Sequence, residues 1–498
     1  MKNLNCYFVW ILLLLLIANE TNAQPLIWDK SYSFPGKNQE LFTKFLQTNN
    51  SDLYLAGYAE FGWCEYSPGF MRIDTNGDEI WARNYEFANS YMQFTHTLVQ
   101  LSENSFFSFC FNPLLPVPIK SNQGYKWPEL INDCWLLKLD GNGDTIFTKH
   151  FENIGWVNDL IIDNGKLLAV GSTNYHEEDP DTYFSKTTLM VLDTNGTMLL
   201  REEFLTDLDS RANSIVKNLN GNYLITGCTT EEFYYFGYFD SPDKMFVIEV
   251  DTLGNLLTEY FSDIEYSEGK KIIVCEDGNH AIVGDGLNPT ESTIDITLWK
   301  FDIGNNLLQT TFSGLPRADK AYSIKQTPDG GFIICGSIVP MSSTNWNRTF
   351  FYMKTDYDGN EAWHTNNVAP NNCAYDVLIN NNSGYYIAGK GAGHARLVKA
   401  DLEGNGLITT AIEGPDISNA NLFEVFPNPG KNNVTIKNPN PGNKYSFSLL
   451  NFFGNKIIDA ESHNENLIIN TVALPPGIYF YQISIDNAVS RTGKWLKE

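Results

Sequence analysis

The residues best placed to do chemistry are side-chain oxygens at alternate positions. Asp140, Asn142 and Asp144 in DGNGDTIFTK present three of them, as the start of a calcium loop would. A metal site needs those oxygens, whereas a turn needs only the leading Asp, to accept backbone N–H groups, and a late glycine. The motif recurs, starting at Asp74, Asp140, Asp193, Asp251, Asp302, Asp356 and Asp401, at intervals of 45 to 66 residues. Its third position is Asn76, Asn142, Asn195, Leu253, Gly304, Asp358 and Glu403 in turn. Leucine and glycine have no side-chain ligand to offer, and the glutamate an EF-hand requires at its twelfth position is Phe151. The motif therefore reads as a turn and not a metal site. Asp74-Asn76-Asp78 and Asp140-Asn142-Asp144 are the copies with the most oxygens.

Carboxylates are plentiful elsewhere, as in HEEDPD from His176 and TEEF from Thr230. Glycoside hydrolysis needs two at a set separation, which sequence spacing does not establish. There is no G-x-S-x-G elbow or H-E-x-x-H helix, and the seven histidines are scattered. GKGAGHA from Gly389 ends a strand instead of opening a helix, so it makes a poor phosphate loop. No catalytic residue, metal ligand or cofactor is assigned. Ligand contact is the remaining chemistry, and its candidates are aromatics in long loops: Tyr58, Trp63, Tyr66, Tyr125, Trp127, Tyr175, Tyr235 and Trp346. Flat rings beside Asp, Glu and Asn suit sugars. They suit packing beneath their own loops equally, and both readings stay open.

The elements that carry these loops repeat. An apolar strand ending in glycine precedes each Asp turn: LYLAG to Gly57, LLAVG to Gly171, YLITG to Gly227, AIVG to Gly284, FIICG to Gly336 and YYIAG to Gly389. Unit two reads FFSFCF, without the glycine. Tight turns such as PDGG and NLNGN come before these strands, and alternating strands such as AYSIKQT from Ala321 come before the turns. A fourth strand, such as EIWARNY from Glu79 or TIFTKHF from Thr145, follows the Asp turn. Four short antiparallel strands in each of seven units predict an all-β fold, a seven-bladed β-propeller. The long, variable connections between second and third strands share one rim, where binding is expected. The pattern resembles delta-60 and quinoprotein-like propeller repeats over residues 26–412, a likeness that implies architecture and no activity. LIWDKSY from Leu26 reads as a lone fourth strand able to close the ring, and GLITTAIEG from Gly406 competes for that place.

The chain has 498 residues and a formal net charge of -25, with no basic stripe, which excludes nucleic acid as a partner. MKNLNCYFVWILLLLLIANETNAQ reads as a secretory signal peptide ending at Ala23, and no later run is long and apolar enough to span a membrane. Seven cysteines follow it without C-x-x-C spacing, which favours free, buried thiols over a disulfide framework.

From residue 424 the repeats give way to short alternating runs separated by Pro, Gly and Asn, as in a small Ig-like β-sandwich. Its marks are Pro427-Asn428-Pro429, NFFGNKI around Gly454, LPPGIYFYQI with Gly477 and Tyr479, and GKWLKE with Gly493, Lys494 and Lys497. In this order they resemble the type A C-terminal sorting domain of the type IX secretion system of Bacteroidetes. The resemblance implies passage into the periplasm by the signal peptide, then recognition by the outer-membrane translocon and a secreted or cell-surface destination. The alternative is an ordinary Ig-like binding module. The expected organisation is a signal peptide at 1–23, a propeller at 24–412, a linker at 413–423 and a sorting domain at 424–498. The propeller is expected to bind a polysaccharide or a surface protein, with polysaccharide hydrolysis as the alternative.

Overall fold

A computed structural model describes residues 27–34, 39–62, 65–85, 93–114, 119–121, 124–126, 131–152, 154–176, 182–230, 234–235, 243–314, 318–339, 348–366, 372–380, 383–405, 423–427, 429–438, 442, 444–451, 456–485 and 488–497. The signal segment, the rival closing strand from Gly406, Trp63, Trp127, Trp346 and Asn428 lie outside the described residues, as does the expected linker apart from Phe423. No helix of the described residues is long and apolar enough to cross a membrane. The chain divides into two compact units, Met1–Ile408 and Thr409–Glu498.

Among the described residues the first unit has seven antiparallel blade sheets, blades 1 to 7 over 39–84, 94–151, 157–204, 209–261, 268–313, 320–366 and 373–400, whose main strands lie in the order first, second, third, fourth, and one separate small hairpin. Blade 1 shows the plan, with Gln39–Gln47, Leu53–Gly62, Glu65–Ile73 and Glu79–Asn84. Blade 2 differs in splitting its first strand into Phe94–Thr95 and Val99–Ser102. Blade 7 takes its fourth strand from the N-terminus: Trp28–Tyr32 pairs antiparallel with His394–Ala400, from Trp28 opposite Lys399 to Tyr32 opposite Ala395. The ring is thus closed by the first described strand of the chain, as LIWDKSY allowed.

Why the second strands are apolar without interruption follows from where their faces go. Successive side chains leave a strand on opposite sides, and here both sides are buried. Leu53 and Leu55 enter a core shared with blade 7, whereas Tyr54 and Ala56 enter one shared with blade 2. Seven such cores fill the seven junctions between neighbouring blades. The core joining blades 7 and 1 contains Trp28 and Tyr32, so the closing strand is also a packing element.

The Asp turns clasp one blade to the next. In the first five copies the Oδ1 of the leading Asp accepts two backbone N–H groups, for example from Asn142 and Asp144 at 2.8 Å each to Asp140. The geometry is the same where the third residue is Leu253 or Gly304, so these copies form one and the same turn. The late glycine has positive φ, from 74 to 88°, and Asn305 takes the same place at 65°. It lies against the preceding blade: Gly77 on the Trp28 ring, Gly143 on Trp81 and Gly404 on Trp363. Hydroxyls of Tyr32 and Tyr352 donate to the carbonyls of Gly77 and Gly404, at 2.9 and 2.7 Å.

The second unit is a sandwich of a three-stranded sheet and a four-stranded sheet. Val434, Ile436, Phe447, Leu449, Ile483 and Trp495 are among the residues of its core. The six described cysteines outside it are free, five of them buried.

Candidate functional site

The site is built from an irregularity that each blade repeats. In six blades the first strand carries one extra residue in its pairing with the second: Thr43, Asn158, Asn213, Lys270, Tyr322 and Tyr375. A bulge leaves such a residue outside the ladder and bends the strand. The bend presses the carbonyl of the residue two before the bulge onto the second strand, where a Cβ would lie only 1.7 to 2.0 Å from that oxygen. Only glycine fits, which accounts for Gly57, Gly171, Gly227, Gly284, Gly336 and Gly389. Cys110 stands at the equivalent place in blade 2, because there the first strand breaks between Thr95 and Val99. Side chains replace the lost ladder: Thr97 Oγ1 accepts from Phe109 N at 2.7 Å, and Ser108 Oγ donates to Thr97 O at 2.6 Å.

The released residues converge on the propeller axis. Thr43, His96, Asn158, Asn213, Lys270, Tyr322 and Tyr375, one from each blade, line a cavity of about 140 Å³ together with Lys44, Asp159, Lys271 and Asp376. Several reach the next blade just before its own bulge: Thr43 Oγ1 donates to Thr95 O (2.6 Å), Asn158 Nδ2 to Ala212 O (2.8 Å) and Asn213 Nδ2 to Gly269 O (2.9 Å). The residue after each bulge forms a second tier. Asp159 accepts from Lys271 Nζ (2.5 Å), Ser214 Oγ (2.8 Å) and Ile215 N (3.1 Å). Asp376 accepts from Ser323 Oγ at 2.7 Å and lies 3.7 Å from Lys44 Nζ.

Burial and neighbouring charge tune these groups. Burial would raise Asp159, but Lys271 and Lys44 hold it at about 2, so it stays a carboxylate. Burial outweighs Asp159 at Lys271 and brings its pKa down to about 8. Burial pushes His96 down to about 4, which leaves a neutral imidazole at neutral pH.

Two residues before each bulge residue lies a third tier, and it divides by chemistry. In blades 2 and 3 it is Phe94 and Trp156, within an aromatic cluster. Tyr58 and Tyr66 meet Phe94 at 4.8 and 4.9 Å, Phe94 meets Trp156 at 5.8 Å, and Phe111 stacks on Trp156 at 3.9 Å. In blades 4, 5 and 6 it is Arg211, Glu268 and Lys320. Arg211 lies 3.3 Å from Asp243 and 3.5 Å from Glu268, Lys270 lies 2.6 Å from Glu268, and Lys320 lies 3.7 Å from Asp285. His96 joins cluster to cavity, 6.0 Å from Trp156 and 6.3 Å from Tyr58.

Of the loop aromatics expected from sequence, the structure brings Tyr58 and Tyr66 together, 5.8 Å apart, in that cluster. Only the backbone is described for Tyr125, Tyr175 and Tyr235. Tyr125 belongs to a small hairpin of Ile119–Ser121 and Gly124–Lys126, apart from the blade sheets. Tyr175 lies opposite Phe184 in the extended second-to-third-strand hairpin of blade 3, and Tyr234–Tyr235 from blade 4 pairs onto that hairpin with Tyr235 opposite Thr182. Sequence reasoning missed Phe94, Trp156 and the bulge residues. Their signal was a small residue, a variable residue, a polar one and an apolar one, as in ANSI, AYSI and AYDV.

In the second unit the entry and exit motifs meet. Trp495 Nε1 donates to Pro427 O at 2.7 Å, and Gly430 N donates to Leu496 O at 2.9 Å. Trp495 is fully buried, 6.1 Å from the ring of Tyr479, whose hydroxyl donates to Pro475 O. Pro429 is exposed, Lys497 is buried, and Gly477 opens the strand that pairs with the last one. Gly493 and Lys494, for which the backbone alone is described, lie opposite Tyr481 and Phe480. Trp495, absent from the residues singled out by sequence, is the core side chain linking the two motifs.

The sequence model of the secretion-system C-terminal sorting domain matches residues 424–498. No curated relative matches the chain. Similar solved structures include an alpha-L-arabinanase of Penicillium chrysogenum complexed with arabinobiose, 14% identical, covering 67% of this chain and 99% of that one at a TM-score of 0.43. The WD40 domain of Neurospora crassa Pan2 is 9% identical, with coverage of 74% and 93% and a TM-score of 0.45. PorZ, a surface component of the type IX secretion system of Porphyromonas gingivalis, is 10% identical, with coverage of 94% and 82% and a TM-score of 0.27. The sandwich that Trp495 ties together is accordingly a secretion-system C-terminal sorting domain, and the chain is a β-propeller protein with a type IX secretion sorting tail, which implies export.

Proposed function

We propose that the propeller is a binding module delivered to the cell surface or the medium, and that its ligand is a glycan seated at the axial mouth. Export through the periplasm by a cleaved signal peptide is part of the same reading. The observation that carries it is the aromatic cluster of Tyr58, Tyr66, Phe94, Phe111 and Trp156, joined through His96 to a polar cavity. The half-buried rings of Tyr58, Tyr66, Phe94 and Trp156, backed by buried Phe111 and beside hydrogen-bonding groups, match the apolar faces and hydroxyl edges of a sugar. A surface protein presenting an aromatic or extended segment is the other ligand class this mouth suits.

The test is retention of the full mature chain on a panel of immobilised polysaccharides, with Trp156→Ala beside it. A glycan ligand should be lost or weakened by about 1 to 3 kcal/mol in the variant, the scale of one aromatic contact. Equal retention of the variant would remove the mouth as the site. Hydrolysis has one observation in its favour: Glu268 and Asp285 face each other across adjacent strands, and burial raises Asp285 while Lys270 and Arg211 hold Glu268 ionised. Both carboxylates are ion-paired. Release of reducing ends that disappears in Asp285→Asn would establish this second reading.

A further inference from the structure

The seven blades place equivalent residues around the axis, so a residue unlike its six counterparts is conspicuous. Two residues beyond the second tier, the first strands carry Leu46, Val99, Ile161, Val216, Ile273, Lys325 and Leu378. Six are apolar and pack into the cores between blades. Lys325 is the exception. It is half-buried and forms no ion pair or side-chain hydrogen bond among the described residues. Its charge is felt together with those of Lys44, Asp159 and Asp376, from blades 1, 3 and 7.

The ammonium groups of Lys44 and Lys271 line the channel with two carboxylates, Asp159 and Asp376, and the charge of Lys325 acts on the same two carboxylates. Asp159 is taken by Lys271 at 2.5 Å, and Asp376 has Lys44 at 3.7 Å. One positive charge is left over, in a chain whose formal net charge is -25. A partly desolvated charge without a partner is costly; burial shifts Lys325 towards losing its proton, and an ion from solution is the way to keep it charged. The cavity of about 140 Å³ beside Lys44 and Lys271 has the room, since one water needs roughly 10–15 Å³ of such space. Tyr322 also lines the cavity, and its hydroxyl has no hydrogen-bond partner among the described residues.

We propose that the axial channel is a binding site for a small oxoanion, phosphate, sulfate or a carboxylate, held by Lys44 and Lys271 with Lys325 supplying the surplus charge. The site uses the same polar cavity that adjoins the aromatic mouth, but it does not depend on the glycan reading, because Trp156 and its neighbouring rings take no part in holding the anion. Its affinity should depend on pH through Lys271, whose pKa of about 8 lies within reach. The titratable groups around Lys271 are Asp159, Lys44, Lys270, His96 and Asp376, which line the same cavity, and Lys325, whose charge also acts on it. Above that pKa Lys271 becomes neutral, two ammonium groups face two carboxylates, and the surplus is gone.

The experiment is calorimetric titration of the full mature chain with sodium sulfate, sodium phosphate and sodium acetate, against sodium chloride at matched ionic strength. A saturable single site for at least one oxoanion is expected, and heats no different from those of chloride would overturn the proposal. Sulfate keeps its charge between pH 7 and pH 9.5, so its affinity should fall at least tenfold over that range; an unchanged affinity would also overturn it. Lys325→Leu installs the residue type found in two sister blades. It should weaken binding at least tenfold and raise the melting temperature at low salt. A variant that binds as tightly as the parent would show that Lys325 has no part in any site.

Discussion

Closure of the ring by Trp28–Tyr32 is open to a quantitative test at one side chain. Trp28 is only 6% exposed, lies under the Asp turn of blade 1 against Gly77, and meets Tyr386 of blade 7 at 6.1 Å. Truncating a buried Trp to Ala costs about 3–5 kcal/mol when the surroundings cannot collapse. Collapse is prevented here by the rungs that pin Trp28–Tyr32 to His394–Ala400 and by the ion pair of Asp29 with Arg396, its Nε 2.9 Å from the carboxylate. Trp28→Ala should therefore lower the stability of the propeller by about 3–5 kcal/mol, a large part of the usual margin of a domain. Trp28→Phe should cost less, because Trp28 Nε1 is buried without a partner among the described residues and the change gives up no hydrogen bond there. Urea unfolding followed by circular dichroism would measure both, with Trp81→Ala and Trp363→Ala as references. Those residues underlie the turns at Gly143 and Gly404 but are half-buried, so each should cost less than Trp28→Ala. A loss under 1 kcal/mol for Trp28→Ala, or one smaller than for Trp81→Ala, would refute the view that this strand locks the ring.

Four further outcomes follow from the turns, the bulges and the sorting domain. Asn142→Leu should leave melting with and without calcium unchanged, since the turn uses the backbone N–H of Asn142; a calcium-dependent rise in the parent alone would show a metal site. The turn carboxylates of Asp74, Asp193, Asp251, Asp302 and Asp356 lie below the usual range, chiefly through hydrogen bonds from the residue four further on. A depressed folded pKa contributes stability above the unfolded value of about 3.9 and loses it as pH falls, so the urea midpoint should hold from pH 7 to pH 5 and drop below pH 4. Gly227→Ala should cost about 1–3 kcal/mol or more in the same urea assay, because its Cβ would lie 1.8 Å from Arg211 O. Removal of residues 494–498 takes away fully buried Trp495, so it should unfold the sorting domain as well as block export, measured as lost protease resistance of that unit.

The architecture was legible because seven blades solve one physical problem with the same residues. The Asp of the turn, the glycine under the bulge and the uninterrupted apolar second strand each answer a constraint that does not change around the ring. LIWDKSY was legible for the same reason: its Trp stands where EIWARNY has Trp81 and EAWHTN has Trp363, beneath the next turn. The candidate site was hidden by the opposite circumstance. Thr43, His96, Asn158, Asn213, Lys270, Tyr322 and Tyr375 share a place but no one residue type, so no residue type marks them. Hydrophobic periodicity passes over them too, because a bulge residue belongs to neither face of its strand. Attention to long loops found Tyr58 and Tyr66, whereas their partners Phe94 and Trp156 lie on or beside first strands.

The same bulge explains how one repeat serves both stability and variation. A residue in the ladder must fit the core on its side of the sheet, and the cores between blades are filled. A bulge residue is relieved of that demand, since its side chain projects into the channel and the glycine opposite absorbs the displaced carbonyl. Substitution there changes the channel and leaves the blade intact. Polar, basic and aromatic residues can thus stand at equivalent places in one ring. A propeller carrying an export domain can present an axial surface set by seven nearly independent choices, while the residues that hold the ring closed remain those of the turns and cores.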